Sequence, residues 1–347
     1  MTHDPFKSSG FTLYSFSGGR TSAYGLWRAI QSGLSKDTVV LFADTERERP
    51  ETYAFVREVG RRWGVDVRWT KRIGNESPSG AVVGDDTSFS RLLRDKADGQ
   101  SKRNGQFSLP GPVSRYCSIE LKRAPAERYM HALGVERGLA ERVTLKGTTR
   151  RYFTSRDLDV PDLLEVEYDQ VLGIRADEPR RVARLRSQGG ESRPVYADGG
   201  EPWMFEKAED AEAIGRVRYE YRLPLADAGV TEAEVLEFWL GPEWSSILDE
   251  WRVTGQRPDF EPPQGFDLGL QPHEGNCDVC FEKATWKRVE CIASRPEDAK
   301  KWIEDEKAYG TRYRQGGRGY EHEADLARRH LPLFRVEDTA GECLCTD

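Results

Sequence analysis

A chain of 347 residues is long enough for two domains, or for one large domain with an appendage. Its 37% hydrophobic residues, with 9 Trp, 13 Tyr and 14 Phe, supply a core and exclude disorder throughout. The net charge of −7 argues against a general nucleic-acid coat, although Arg175, Arg180, Arg181, Arg184 and Arg186 form a local basic run.

In chain order, FTLYSF (11–16) reads as a short strand, a glycine turn follows, and residues 21–33 read as a helix stopping near Gly33. TVVLF (38–42) is an unbroken apolar run of the kind buried on both faces of a sheet. Pro50 suits the first turn of a helix, and Tyr53, Val56, Val59 and Trp63 mark its apolar stripe. VDVRWT (65–70) is a third strand, so the alternation predicts an α/β fold with a parallel sheet. Residues 74–114 read as a long loop with one short helix near Phe89–Arg94. A helix over 118–133 and strands over 141–147 and 168–174 follow. The second half reads as mostly helical, with Thr231 and Glu234, then Ser294 and Glu297, as capping boxes. The helix after the second box is expected to stop at Gly310. A domain boundary is expected within 186–200, dividing the chain into 1–190 and a helical 191–347. No membrane span and no secretory signal are expected, hence a cytoplasmic protein with no membrane partner.

Chemistry concentrates first in Ser15-Phe16-Ser17-Gly18-Gly19-Arg20-Thr21-Ser22, between a strand and a helix. Glycines there admit close backbone approach, and the free N–H groups and dipole of a helix start attract an anion. Ser17 and Ser22 add hydroxyls, while the Walker pattern GxxxxGK[ST] is absent from the chain. The octapeptide resembles the SGGxxS loop of the PP-loop adenine nucleotide alpha-hydrolase-like superfamily. Three further segments resemble the phosphoadenosine phosphosulfate (PAPS) reductase family: LFADTERERPETYAFVREV (41–59), RYCSIELKRAP (115–125) and GIRADEPRRVARL (173–185). Glu46 stands where that family has glycine, and Pro179 where it has serine. The resemblance implies a nucleotide-binding domain with Asp44 and Thr45 beside the adenosine. Gly173 belongs to the same motif set, and Lys122, Arg175 and Arg181 would face phosphate or sulfate oxygens.

The six cysteines carry the second signal. Cys277-x2-Cys280-x10-Cys291 has the spacing of a metal or cluster site, with Cys117 as the candidate fourth ligand. The arrangement resembles iron–sulfur members of the superfamily, more closely the DNA phosphorothioation sulfurtransferase than the assimilatory adenylylsulfate reductases. It implies a [4Fe–4S] cluster, with zinc as the rival. Cys343 and Cys345 partly match the E-C-G-x-H stretch bearing the nucleophile of PAPS reductases. They are read as catalytic thiols, with a cluster ligand or sulfur relay as the alternative.

Three activities follow as expectations. The first is thiol-dependent reduction of PAPS or adenylylsulfate, with thioredoxin or glutaredoxin as reductant. The second is an ATP-dependent sulfurtransferase modifying nucleic acid and releasing pyrophosphate. The third is a non-enzymatic nucleotide-binding module with structural zinc. Oligomeric state is left open.

Overall fold

The structure, a computed structural model, describes residues 4–72, 88–102, 107–143, 163–196, 213–275 and 277–329. The N-terminal alternation forms as the sequence predicts: β1 (Thr12–Ser15), α1 (Arg20–Ser32), β2 (Thr38–Ala43), α2 (Pro50–Trp63) and β3 (Val67–Thr70). After α3 (Ser88–Lys102) comes α4 (Tyr116–Ser118), a π-helical turn (Ile119–Arg123) and α5 (Ala124–Glu136). Next are β4 (Ala140–Val143), β5 (Leu163–Leu172), α6 (Pro179–Gln188), β6 (Glu191–Tyr196) and β7 (Ala213–Arg222).

These strands form one mixed, mostly parallel sheet in the order β3-β2-β1-β5-β7-β6, with β4 antiparallel on β5. The chain thus winds outward from β1 to β3, then returns to lay β5 on the other side of β1. That reversal opens a crevice beyond the carboxyl ends of β1 and β5, where open α/β sheets bind ligands. Alternation along the strands divides two cores. Tyr14, Phe16, Val40 and Phe42 pack with α1, α2 and α8 (Glu232–Leu240), while Leu13, Val39, Leu41, Val166 and Val217 pack on Met130 of α5.

The sheet continues past residue 190, where the boundary is expected, because β6 and β7 belong to it. After them come α7 (Pro224–Asp227), α8, α9 (Trp244–Thr254), α10 (Thr285–Ser294), α11 (Lys300–Tyr309) and α12 (Gly319–Arg328). Helix α3 is 15 residues long, more than the short helix expected near Phe89–Arg94.

Neither capping box forms. The Thr231 side chain makes no cap; Asp177 Oδ2 accepts the Glu232 N–H at 2.8 Å instead, and Glu234 receives the Tyr24 hydroxyl at 2.5 Å. Ser294 ends α10, and its hydroxyl bonds to Glu274 and the Cys291 carbonyl. Helix α11 does stop at Gly310. Among the described residues no helix is long and apolar enough to cross a membrane.

The charged run Arg47-Glu48-Arg49 is buried, and it joins the sheet to the cysteine-bearing helices. Arg47 reaches Asp305 at 3.0 Å and lies over the rings of Phe89 and Trp302. Arg49 pairs with Glu274 at 2.6 Å and with Asp298 at 3.0 Å. Burial of these ions is tolerable only because each faces a carboxylate.

Candidate functional site

The loop Phe16–Gly19 leaves β1 at its carboxyl end and enters α1 across the crevice. Two glycines shape it. Gly18 has φ +77°, and a Cβ there would lie 2.7 Å from the Thr52 methyl and 2.9 Å from the Phe42 ring. Gly173, just beyond β5, lies so close to α1 that a Cβ would sit 2.9 Å from Ser22 Cα. Ser17 and Ser22 hydroxyls meet at 2.9 Å, and Ser22 also donates to the Gly19 carbonyl at 3.1 Å. Ser15 accepts from Gln170 at 3.2 Å across the β1–β5 seam.

Two chambers share Ser17, Ser22 and Gly173. One, of about 770 Å³, lies between the sheet and α5, under walls that include Leu13, Leu41, Ala126 and Leu172. Three buried polar atoms on its lining residues have no hydrogen-bond partner: Tyr168 Oη, Arg123 Nε and Glu48 Oε2. Lys122 and Arg123 both line it although they are consecutive. They lie in the π-helical turn, whose wider winding changes the angle between neighbouring side chains. The other chamber, of about 820 Å³, lies at the start of α1 and is lined by Thr21, Arg175, Glu178 and Arg181, among others.

The predicted cations of this second chamber are already engaged. Arg20 turns away from the loop and forks onto Asp267 through two bonds of 2.7 Å, with a third to the Leu270 carbonyl. It therefore clamps the Asp267 and Leu270 segment onto α1. Asp267 stays below the usual carboxylate range: burial raises it, but the Arg20 charge outweighs that. Arg175 bonds to Asp177 at 2.8 Å and to Thr21 at 3.3 Å, and Arg181 pairs with Glu178. Lys122 lies 3.9 Å from Glu48 Oε1 in the first chamber.

At the end of β2, Asp44 is fully buried. Its Oδ1 accepts the Glu46 N–H at 2.8 Å and the Tyr53 hydroxyl at 3.0 Å. Its Oδ2 has no hydrogen-bond partner, and burial pushes the carboxyl above its ordinary range. Thr45 contacts Cys277 Sγ at 3.6 Å. Glu46 has φ +59°, the one non-glycine with positive φ among the described residues, and its carboxylate holds Lys71 at 2.6 Å. The left-handed backbone at this position favours glycine. Glu46→Gly is therefore expected to be about 1 kcal/mol more stable than Glu46→Ala, which loses the same ion pair and keeps the strain. Urea denaturation of both variants checks this; an equal or less stable glycine variant refutes the strain.

Cys117, Cys277, Cys280 and Cys291 are buried, form no disulfide among the described residues, and belong to one apolar cluster with Phe281, Trp302 and Tyr313. Burial pushes the Cys117 thiol up to about 12 against the opposing pull of Lys122, and raises Cys277 and Cys291 as well. Cys277 donates to Glu48 Oε1 at 3.5 Å, so this end of the thiol cluster abuts the first chamber. Among the described residues, no three His, Cys, Asp or Glu side chains gather as a metal donor set. Cys343 and Cys345 lie outside the described residues.

The sequence reading missed Glu48, Gln170, Tyr168 and Arg123. Glu48 was legible as part of the motif running from Asp44, whereas the others face the chamber only through strand pairing and the π-helical turn. The chain is 27% identical over 315 residues to the uncharacterized nin region protein ORF290 of Escherichia phage lambda, an alignment covering 88% of this chain and 77% of the phage protein. No family model and no solved structure matches it.

Proposed function

We propose that the chain is a PP-loop protein that binds an adenine nucleotide and performs PAPS-reductase-like sulfur chemistry. The phosphates would rest against Ser17-Gly18-Gly19 and the start of α1, with the base and ribose in the chamber against α5. The observation that carries this is the glycine loop entering a helix at the β1–β5 reversal, with Gly173 facing it. Helix-start N–H groups suit phosphate, and a mostly apolar chamber with three unsatisfied polar atoms suits a heterocycle.

In the reductase reading, the Cys343 or Cys345 thiolate attacks the sulfonate sulfur of PAPS or adenylylsulfate. The sulfur–oxygen bond to phosphate breaks, and the nucleotide leaves with that electron pair. A second thiol then attacks the enzyme cysteine, releasing sulfite and leaving a disulfide that a thioredoxin- or glutaredoxin-type dithiol reduces. The ATP-dependent sulfurtransferase is the second reading. The shared cluster of Cys117, Cys277, Cys280 and Cys291 favours it. A [4Fe–4S] or zinc site on these four thiols belongs to the proposal, but no step above passes through it.

Calorimetry of the full chain, purified without oxygen, with adenosine 3′,5′-bisphosphate, adenylylsulfate and Mg-ATP is expected to give saturable one-to-one binding for at least one of them. Absence of binding to all three overturns the nucleotide reading. Sulfite release points to the reductase, and acceptor-stimulated pyrophosphate release to the sulfurtransferase. Iron, zinc and sulfide analysis of the same sample tests the thiol cluster, and metal-free protein rejects that part.

A further inference from the structure

Sharing no lining residue with the crevice, an open hollow of about 950 Å³ is lined by α10, α11, α12 and the turn Arg314-Gln315-Gly316-Gly317-Arg318. Its acids are used inward. Glu306 accepts the backbone N–H groups of Tyr313 at 3.2 Å and Tyr320 at 2.9 Å, and Glu323 is held by buried Arg288. Arg312 braces the turn through the Gly317 carbonyl. The cations left facing solvent are Arg314 and Arg318. Neither has a carboxylate, hydrogen-bond or ring partner among the described residues. Of the other described arginines, Arg142 alone is in that condition, on β4. In a chain of net charge −7, where acids outnumber bases, two unpaired arginines on one rim are a local reversal of sign.

We infer that this rim binds the phosphodiester backbone of a nucleic acid, independently of which reaction the crevice performs. Arg314 and Arg318 flank Gln315-Gly316-Gly317 in the chain and both line the hollow, suiting two phosphates of one strand. Of the two aromatic side chains lining the hollow, Tyr320 is buried and His322 half-buried, so neither presents an open stacking face and contact is chiefly to the backbone and independent of sequence. A membrane headgroup surface fits less well, because none of the large exposed apolar side chains of the described residues lines this hollow to anchor in lipid.

The test is fluorescence anisotropy of the full chain with a labelled single strand and a labelled duplex of about 20 nucleotides, between about 50 and 200 mM salt. Arg314→Gln with Arg318→Gln is expected to weaken binding at least about tenfold at the low-salt end. It should flatten the slope of log K against log salt by about 1.4–1.8, two phosphate contacts' worth. Arg142→Gln should leave both unchanged. No binding by the unaltered chain, or equal slopes in chain and double variant, overturns the proposal. Displacement of the strand by equimolar inorganic phosphate, or equally tight binding of a phosphorylated peptide, overturns the nucleic-acid assignment. Nucleotide calorimetry on the double variant should match the unaltered chain, which keeps a failure here distinct from a failure of the crevice reading.

Discussion

Gly173→Ala is expected to damage the crevice and the fold together, whereas Gly19→Ala should damage the crevice alone. The added methyl at 173 would lie 2.9 Å from Ser22 Cα and 3.3 Å from Ser22 N, which are backbone atoms of the first turn of α1. No rotamer change relieves such a contact; the helix must move away from β5. Overpacking of this kind costs about 1–3 kcal/mol. The methyl at 19 would meet only the Ser17 hydroxyl at 3.6 Å, an ordinary contact, and Gly19 has φ −98°, open to any residue. Stability should therefore change by no more than about 0.5 kcal/mol. Yet that methyl stands where a phosphate would approach the N-terminus of α1, so nucleotide affinity should fall by about tenfold or more, the loss of roughly one hydrogen bond to a charged group. Denaturation and calorimetry on both variants separate the two effects. Full nucleotide affinity in Gly19→Ala removes the phosphate from this loop.

Arg49→Met should be among the most destabilising single changes in the chain. Arg49 is 1% exposed in its side chain and faces Glu274 and Asp298 together. Burial already pushes Asp298 up to about 6 despite the arginine. Removing the cation leaves buried Glu274 and half-buried Asp298 without the charge that faces them both, a loss of about 3–5 kcal/mol. The triple variant Arg49→Met, Glu274→Gln, Asp298→Asn should recover much of that, because the cost lies in orphaned charge and not in lost volume. Chemical denaturation at neutral pH decides it: a loss under about 1 kcal/mol in the single variant, or no recovery in the triple, refutes the account.

The first three strands and two helices were legible because their signals are local. An unbroken apolar run at 38–42 sits mid-sheet, and one stripe at 53, 56, 59 and 63 faces one core, with Pro50 opening the helix. Strand β7 carried an equally clear signal in Val217, Tyr219 and Tyr221 alternating with Arg216, Arg218 and Glu220. A reading of residues 186–276 as merely helical passes over it, and with it the extent of the sheet. Strand β6 was harder, since Pro194 and three polar residues disguise an edge strand. The burial of Arg47 and Arg49 was not legible at all. A run of alternating charge reads as solvated face, and only the partners at 274, 298 and 305 reverse that. Both failed capping boxes have the same origin: partners distant in sequence claim the groups that local pattern assigns to a neighbour, Tyr24 the Glu234 carboxylate and Glu274 the Ser294 hydroxyl. At the crevice, the glycine loop was legible from its own residues. The engagement of Arg20 by Asp267 was not, because the partners are 247 positions apart.

That separation has a consequence for how the molecule is made. The clamps that close the crevice side of α1 and β2 join residues 247, 225 and 258 positions apart. On a ribosome adding about 5–20 residues per second, the Arg20 guanidinium waits about 10–50 s for Asp267 to emerge. During that interval β1, β2 and β3 can pair, but the charged run at 47–49 has no acids to receive it and must stay hydrated. The α/β layer therefore cannot seal on that side until the cysteine-bearing helices have been synthesised, and the thiols enter the core at the same late stage.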